Sequence, residues 1–229
     1  MALAVAHRGD PYVHRENTLP SVLSAFAKGA DVVEVDVRVT RDGVPVLLHD
    51  AGLDRLWGHD EPVASLTYDE VHKRTGGGVP PLADALDVLH GRPAGRMLLD
   101  LTETGQAAPA VAAVAAAGLG ERVHYCGELP AMRAVRALDP GAEIAMTWKT
   151  SLRPAEALLA ELGPRWLNLR FGLVDAATVA FAREHGLLVA AWTADWERSM
   201  ARLLALGVDA VTTNRLLALR RVMARRARA

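Results

Sequence analysis

Three short polar groups in this chain each lie at the end of an apolar run. They are His7 with Arg8, the pair Glu34 and Asp36, and His49. Two neighbouring carboxylates repel each other unless a cation or a proton lies between them, and histidine moves protons near neutral pH. The guanidinium group of an adjacent arginine can donate two parallel hydrogen bonds to a phosphate. These residue types together indicate metal-assisted acid–base hydrolysis of a phosphodiester.

The spacing within residues 32–39 predicts how the carboxylates are placed. This segment alternates apolar and polar residues with a period of two, which is typical of a β-strand and puts Glu34 and Asp36 on one face. A second strand pattern, 44–48, follows after a four-residue connection that contains glycine. Because that connection is too short for a parallel crossover, it predicts a hairpin. The hairpin would bring His49 back to the level of the carboxylates.

Composition limits the class of protein. The chain of 229 residues is 51% hydrophobic and 23% charged, so we expect one well-buried domain over 1–229. A net charge of -1 argues against nucleic acid as a partner. The single cysteine, Cys126, cannot form an internal disulfide, and neither a signal peptide nor a run of about 20 apolar residues is present. We therefore expect a cytoplasmic protein that acts on a small molecule and does not insert into a membrane.

Nine apolar runs alternate with helical patterns along the chain. If 46–48 is the return limb of the hairpin, eight strands remain, and their β–α rhythm predicts an α/β fold, a parallel (β/α)8 barrel. The active site of such a barrel lies at the C-terminal ends of its strands, where the polar groups occur. The segment 51–96 is the longest between two predicted barrel strands, and we expect it to form a small insertion near the mouth of that site. The eight strands are predicted at 3–6, 32–37, 97–101, 123–126, 144–148, 166–169, 187–192 and 210–212.

Two connecting helices have clear sequence signals. A helix is expected to begin after Asn17, a good N-cap residue, and to end at Lys28 and Gly29. The alanine-rich segment 106–117 is expected to be a helix that packs closely on the barrel.

Five sequence blocks follow one another along the chain: His7-Arg8-Gly9, Glu16-Asn17-Thr18, Glu34-Val35-Asp36-Val37, Thr40-Arg41-Asp42-Gly43 and Val46-Leu47-Leu48-His49-Asp50. In this order they resemble the signature blocks of the glycerophosphodiester phosphodiesterase family. Segments at 79–82, 189–193 and 207–213 are similar to later parts of the same family. The resemblance implies a TIM-type barrel of glycerol and lipid metabolism that uses a divalent cation to hydrolyse glycerophosphodiesters to glycerol 3-phosphate and an alcohol.

The resemblance also implies roles for individual residues. His7 and His49 match the family's acid–base pair, and Arg8 matches its phosphate-contacting arginine. Trp192, in the late block, is expected to line the substrate pocket. The nucleophile is either water or the 2-hydroxyl of the glycerol, which would first form a cyclic phosphate.

The implied metal ligands are Glu34, Asp36 and Asp100. Asp100 stands where the family usually has glutamate, so its carboxylate is one methylene shorter. Hard oxygen ligands favour Mg²⁺ or Ca²⁺, with Mn²⁺ as an alternative.

Three other positions depart from the family pattern. Thr102 stands where the family usually has lysine, and Glu103 or Lys149 would have to compensate. Asp195 replaces a usual asparagine, and Asn214 replaces a usual aspartate. These departures leave two alternatives open: an enzyme for lysophospholipids or phosphoinositides, and a catalytically silent protein that binds phosphodiesters.

Overall fold

A computed structural model describes residues 2–228 and contains one large sheet and one small one. Eight strands of the described chain pair in parallel, and β1 pairs with both β2 and β11, which closes a barrel. The predicted (β/α)8 fold and all eight predicted strands are therefore confirmed. The strands are β1 (Leu3–His7), β2 (Val32–Val39), β3 (Pro45–Leu47), β4 (Gly52–Leu53), β5 (His59–Pro62), β6 (Arg96–Leu101), β7 (Val123–Gly127), β8 (Glu143–Trp148), β9 (Trp166–Arg170), β10 (Leu188–Trp192) and β11 (Ala210–Thr213).

Helices surround the barrel and bury the outward face of each barrel strand. In β2, Val33, Val35 and Val37 pack in the layer between strands and helices, whereas Val32 belongs to a separate cluster in the lumen. Glu34 and Asp36 therefore share the lumen face, as the alternation predicts. The helices are α1 (Leu19–Ala27), α2 (Asp54–Trp57), α3 (Tyr68–Thr75), α4 (Leu82–His90), α5 (Ala107–Ala116), α6 (Leu129–Leu138), α7 (Glu156–Leu162), α8 (Ala176–Glu184), α9 (Glu197–Leu206) and α10 (Leu216–Arg226).

The predicted hairpin is present. β3 runs antiparallel to β2, with Val37 opposite Leu47. The Leu48 N–H continues this pairing with a 3.0 Å hydrogen bond to the Asp36 carbonyl oxygen. His49 follows directly and so lies at the level of the β2 carboxylates.

The insertion after β2 is narrower than the predicted 51–96. Strands β4 and β5 pair with each other, and the segment as far as α3 packs on its own apolar cluster, which includes Leu53 and Val71. Helix α4 instead buries Leu82 and Leu86 in the main core against the barrel. Its apolar residues recur at helical spacing, so α4 is the regular helix between two barrel strands.

The first helix begins one residue later than expected. Thr18, not Asn17, is the N-cap, because its side-chain oxygen accepts a hydrogen bond from the Ser21 N–H. Asn17 has φ = 56° and is buried in the site described below. The alanine-rich helix is confirmed as α5.

Within residues 2–228, every helix is too short or too polar to cross a bilayer. The cytoplasmic location stays a prediction.

A partly buried polar cluster lies at the N-terminal end of the barrel, opposite the predicted site. Arg96 donates to Glu143 at 2.8 Å, and Trp166 Nε1 donates to the same carboxylate at 2.6 Å. The His124 ring stacks on Trp166 with 6.1 Å between ring centres. Burial, reinforced by the charge of Arg96 and opposed by that of Glu143, lowers the pKa of His124 from 6.5 to about 4.

Acidification is expected to destabilise the protein through His124. Because its pKa is lower in the folded protein than in the unfolded chain, the unfolded chain binds the proton first as the pH falls below 6.5. The free energy of unfolding should then decrease by up to about 3 kcal/mol as the pH approaches 4. Urea unfolding of the wild type and of His124→Gln at several pH values checks this. The variant should lose that part of the pH dependence, and an identical dependence in both proteins would contradict the assignment.

Candidate active site

His7 is the last residue of β1, and the chain turns sharply after it. Arg8 and Gly9 both adopt left-handed backbone conformations, with φ of 55° and 84°. Such a conformation is rare for a residue with a side chain and occurs often at functional sites. The turn directs the Arg8 N–H to Glu34 Oε2 at 2.9 Å. The turn thus connects the first histidine to the carboxylate of the next strand.

Substitution of Gly9 by alanine is expected to damage this turn. A Cβ at Gly9 would lie 2.4 Å from Ser21 Oγ and 2.7 Å from the Ser21 carbonyl carbon. Gly43 is a matched control, because it has nearly the same φ, 85°, and, apart from Gly43 and its two chain neighbours, no described residue has an atom within 4 Å of its Cβ position. Gly43→Ala should cost about 1–2 kcal/mol of stability from backbone strain alone. Gly9→Ala should cost a further ~1–3 kcal/mol from overpacking. Urea unfolding measures both, and equal losses would contradict the steric argument.

Three carboxylates meet in the lumen. Asp36 of β2 is paired in register with Asp100 of β6, and Glu34 lies two residues earlier on the same face of β2. One oxygen from each of the three lies within 4.8 Å of the others. The predicted metal-ligand set is therefore brought together.

The electrostatics of this cluster fit a divalent cation. Burial, followed by the charges of Asp36 and Asp100, raises the pKa of Glu34 well above its usual value. Burial and Asp36 raise the pKa of Asp100 to about 6. Oδ1 of Asp100 is buried and accepts no hydrogen bond from any residue of the described chain. A hard cation with oxygen ligands would satisfy this oxygen and offset the repulsion.

His49 faces the same cavity from the hairpin. Its Nδ1 lies 2.7 Å from Asp50 Oδ1, and Arg38 binds its carbonyl oxygen through Nε at 3.0 Å and Nη2 at 2.5 Å. Burial alone would raise the pKa of Asp50, but hydrogen bonds from Arg55 and His49 lower it. Because the Asp50 carboxylate can only accept a hydrogen bond, Nδ1 of His49 is the nitrogen that donates to it. Nε2 is then the ring nitrogen of His49 that remains available to a ligand.

A chain of ion pairs connects the two halves of the site. Arg55, from the insertion, binds Asp50 and also contacts Glu16 at 2.6 Å. Glu16 lies 2.9 Å from Arg8 Nη1, and Arg8 Nε lies 3.1 Å from Asp36 Oδ2. The insertion is therefore joined by ion pairs to the segments that carry His49 and His7, and its role in shaping the mouth stays a prediction.

Asn17, which was expected to cap the first helix, is instead a residue of this site. Its Nδ2 donates to Asp36 Oδ2 at 2.7 Å, and its Oδ1 accepts from the Asp36 N–H at 3.1 Å. Its place in the block Glu16-Asn17-Thr18 was the available signal for such a role.

His7 is held from the other side by the last barrel strand. Its Nδ1 is 2.8 Å from Asn214 Oδ1, and its Nε2 is 3.9 Å from Glu34 Oε2. Burial, followed by the charge of Arg8, lowers the pKa of His7. Asn214 in turn binds Asp195, so the two departures from the family pattern touch each other.

A cavity of about 320 Å³ opens at the C-terminal ends of the strands. All seven predicted site residues line it, including Trp192, whose buried Nε1 has no hydrogen-bond partner within residues 2–228. The lining residues are His7, Arg8, Glu34, Asp36, His49, Leu98, Asp100, Thr102, Cys126, Gly127, Glu128, Thr147, Lys149, Asn168, Trp192, Thr193 and Thr212.

The structure separates the two candidates for replacing the family's lysine at Thr102. Glu103 pairs with Arg38 at 2.7 Å and does not line the cavity. Lys149 lines the cavity and pairs with Glu128. Arg38 also donates to Thr102 Oγ1 at 3.0 Å, so its charge lies beside the threonine.

Comparison with known proteins agrees with this geometry. Residues 7–218 match the model of the glycerophosphoryl diester phosphodiesterase family. The chain belongs to this family. The predicted family and enzyme class, a glycerophosphodiester phosphodiesterase, are thereby confirmed.

Individual relatives match over nearly their whole length. The glycerophosphodiester phosphodiesterase of Caldanaerobacter subterraneus subsp. tengcongensis is 26% identical over 240 residues, with 93% of each chain covered. The crystal structure of a glycerophosphodiester phosphodiesterase from Parabacteroides distasonis superposes with a TM-score of 0.85 at 24% identity, covering 99% of this chain and 98% of that one. A phosphodiesterase from Oleispira antarctica, solved with its product sn-glycerol-3-phosphate, has a TM-score of 0.84 at 23% identity, with 98% and 97% covered.

Proposed function

We propose that this enzyme hydrolyses glycerophosphodiesters to glycerol 3-phosphate and an alcohol, with His7 and His49 as the proton-transferring pair. The observation that carries the proposal is the convergence of both histidines on one cavity with three carboxylates. Family membership and the product bound to the Oleispira antarctica relative support the same substrate class.

In this proposal Glu34, Asp36 and Asp100 hold one divalent cation. When bound, the cation supplies positive charge that stabilises the phosphodiester oxygens in the transition state. Oxygen ligands favour Mg²⁺, Ca²⁺ or Mn²⁺ over zinc. The unsatisfied Oδ1 of Asp100 supports its place in the set despite its shorter side chain.

Two side chains of the cavity wall bind the phosphate. Arg8 is already held by Glu16 and Asp36, which leaves its Nη2 for the ligand. Lys149 takes the place of the family's lysine, because its charge reaches the cavity from the end of β8. Positive groups fixed in this way favour the developing charge without reorganising during the reaction.

The two histidines divide the proton transfers. One imidazole removes a proton from the attacking hydroxyl, which is that of water or of the glycerol 2-position. The other gives a proton to the departing alkoxide. Each has its Nδ1 held by a neighbour, so Nε2 is the nitrogen that faces the substrate in both.

Release of glycerol 3-phosphate from glycerophosphocholine and glycerophosphoethanolamine tests the proposal. The purified chain is assayed after chelation and again with Mg²⁺, Mn²⁺ or Ca²⁺ restored. Activity that disappears on chelation and returns with a cation is expected. Turnover of lysophospholipids or phosphoinositides in place of these substrates would move the activity to another phosphodiester class. Binding of metal and glycerol phosphate without turnover under every cation would indicate a silent site.

A further inference from the structure

Asp195 and Asn214, the two late departures from the family pattern, form one hydrogen-bonded unit behind His7. Asp195 Oδ1 accepts from the Asn214 N–H at 2.8 Å and from Thr213 Oγ1 at 2.9 Å. Asp195 Oδ2 lies 2.7 Å from Asn214 Nδ2. Asn214 Oδ1 lies 2.8 Å from His7 Nδ1. The Asp195 carboxylate therefore does not contact His7 directly, because the Asn214 side-chain amide lies between them.

The direction of every bond in this unit follows from Asp195. An ionised carboxylate can only accept, so the amide must turn its NH₂ toward Asp195 and its carbonyl oxygen toward His7. A carbonyl oxygen also only accepts, so the proton of the His7 ring must lie on Nδ1. The lone pair is then on Nε2, which faces Glu34 and the cavity.

We propose that Asp195 is a positioning residue which, by orienting the Asn214 amide, selects the His7 tautomer whose Nε2 accepts the proton of the nucleophile. This inference rests on the proposed function of His7 for its kinetic consequence. The proton passes from the attacking hydroxyl to Nε2. Nδ1 keeps its own proton, which it donates in the hydrogen bond to the Asn214 side-chain carbonyl oxygen. Asp195 touches neither substrate nor reacting atoms.

The Asp195→Asn substitution should reverse the orientation of the Asn214 amide. The amide introduced at position 195 would still accept from Thr213 and from the Asn214 N–H through its oxygen, but its NH₂ group would face the NH₂ group of Asn214. The Asn214 amide relieves this conflict by turning over. Its NH₂ then faces His7 Nδ1, which selects the tautomer that carries the proton on Nε2 and leaves no lone pair toward the cavity.

The exchange variant, Asp195→Asn with Asn214→Asp, restores the directions of the hydrogen bonds that hold His7. The amide introduced at position 195 would accept through its oxygen as before and donate through its NH₂ group to the carboxylate introduced at position 214. That carboxylate would accept from His7 Nδ1. The single variant Asn214→Asp places two carboxylates against each other and should also be impaired. Two damaging single changes and a rescued double change are therefore expected.

The experiment measures kcat, KM and the His7 tautomer for the wild type, both single variants and the exchange variant. ¹⁵N-histidine NMR reports the tautomer, with His7→Gln used to assign the signals and Asp87→Asn on α4 as the control substitution. Asp195→Asn is expected to lower kcat by about 10–100-fold with little change in KM, and to move the His7 proton from Nδ1 to Nε2. The exchange variant should recover most of the lost kcat and the wild-type tautomer.

Two results would overturn the inference: a wild-type tautomer in Asp195→Asn, or an exchange variant as impaired as the single variants. If Asp195→Asn does not fold, the tautomer and kcat of the exchange variant decide. The NMR measurement needs no substrate, so it separates this inference from the proposed function. A wild type without turnover on any of these substrates, together with a confirmed tautomer switch in Asp195→Asn, would count against the function and not against the positioning role.

Discussion

The His49→Ala variant is expected to lose about 10²–10⁴-fold in kcat while remaining folded. His49 Nε2 faces the cavity, and its Nδ1 is held by Asp50, so the ring is oriented for proton transfer. The side chain is 43% exposed, which means that its removal takes little packing from the core. Steady-state release of glycerol 3-phosphate gives kcat and KM, and thermal unfolding reports the fold.

His90→Ala is the matched control for that measurement. His90 is an exposed histidine at the end of α4, and it does not line the cavity. The control should keep the wild-type kcat. If His49→Ala retains kcat within about tenfold of the wild type, His49 contributes less than a general acid or base usually does. The acid–base pair would then have to be reassigned.

The Asp100→Asn variant is expected to weaken cation binding and activity together. The amide keeps the shape of the side chain but removes the charge that a hard cation requires. We expect kcat/KM at limiting cation to decrease by about 10²-fold or more, since even outer-shell changes around metals cost 10–100-fold. Titration calorimetry with Mn²⁺ measures the binding directly, and raising the cation concentration should recover part of the rate.

Stability separates this effect from misfolding. In the chelated protein, burial and the charge of Asp36 raise the pKa of Asp100 to about 6, so its ionised form is disfavoured there. The Asp100→Asn protein should therefore unfold at the same temperature as the wild type or at a higher one after chelation. Asp87→Asn, an exposed change on α4, should alter neither property. Unchanged Mn²⁺ affinity in Asp100→Asn would remove Asp100 from the ligand set.

Much of the barrel could be predicted because its information is local. The two-residue alternation of β2 places Glu34 and Asp36 on one face, and the short connection to β3 leaves a hairpin as the only practical turn. Strand order could then be taken from the β–α rhythm, since successive strands of such a fold pair side by side. Asp100 joins the pair because β6 lies next to β2 in register.

The errors and omissions occurred where a residue had two suitable partners. Asn17 suits a helix cap, but Thr18 fills that position, and the two hydrogen bonds of Asn17 to Asp36 cross 19 residues of chain. The apolar spacing of α4 is the same for a helix of an insertion as for a helix of the barrel. Only the packing of Leu82 and Leu86 in the main core separates those cases.

The amino-acid sequence alone determined the strand and helix rhythm, the face of each carboxylate and the presence of both histidines, because these depend on spacing along the chain. Only the tertiary structure decided how the side chains pair. It joined His7 to Asn214 across 207 positions, and it brought Lys149 rather than Glu103 to the cavity wall. Such contacts depend on which strands become neighbours when the barrel closes, and no local preference of the chain specifies hydrogen-bond partners at that distance.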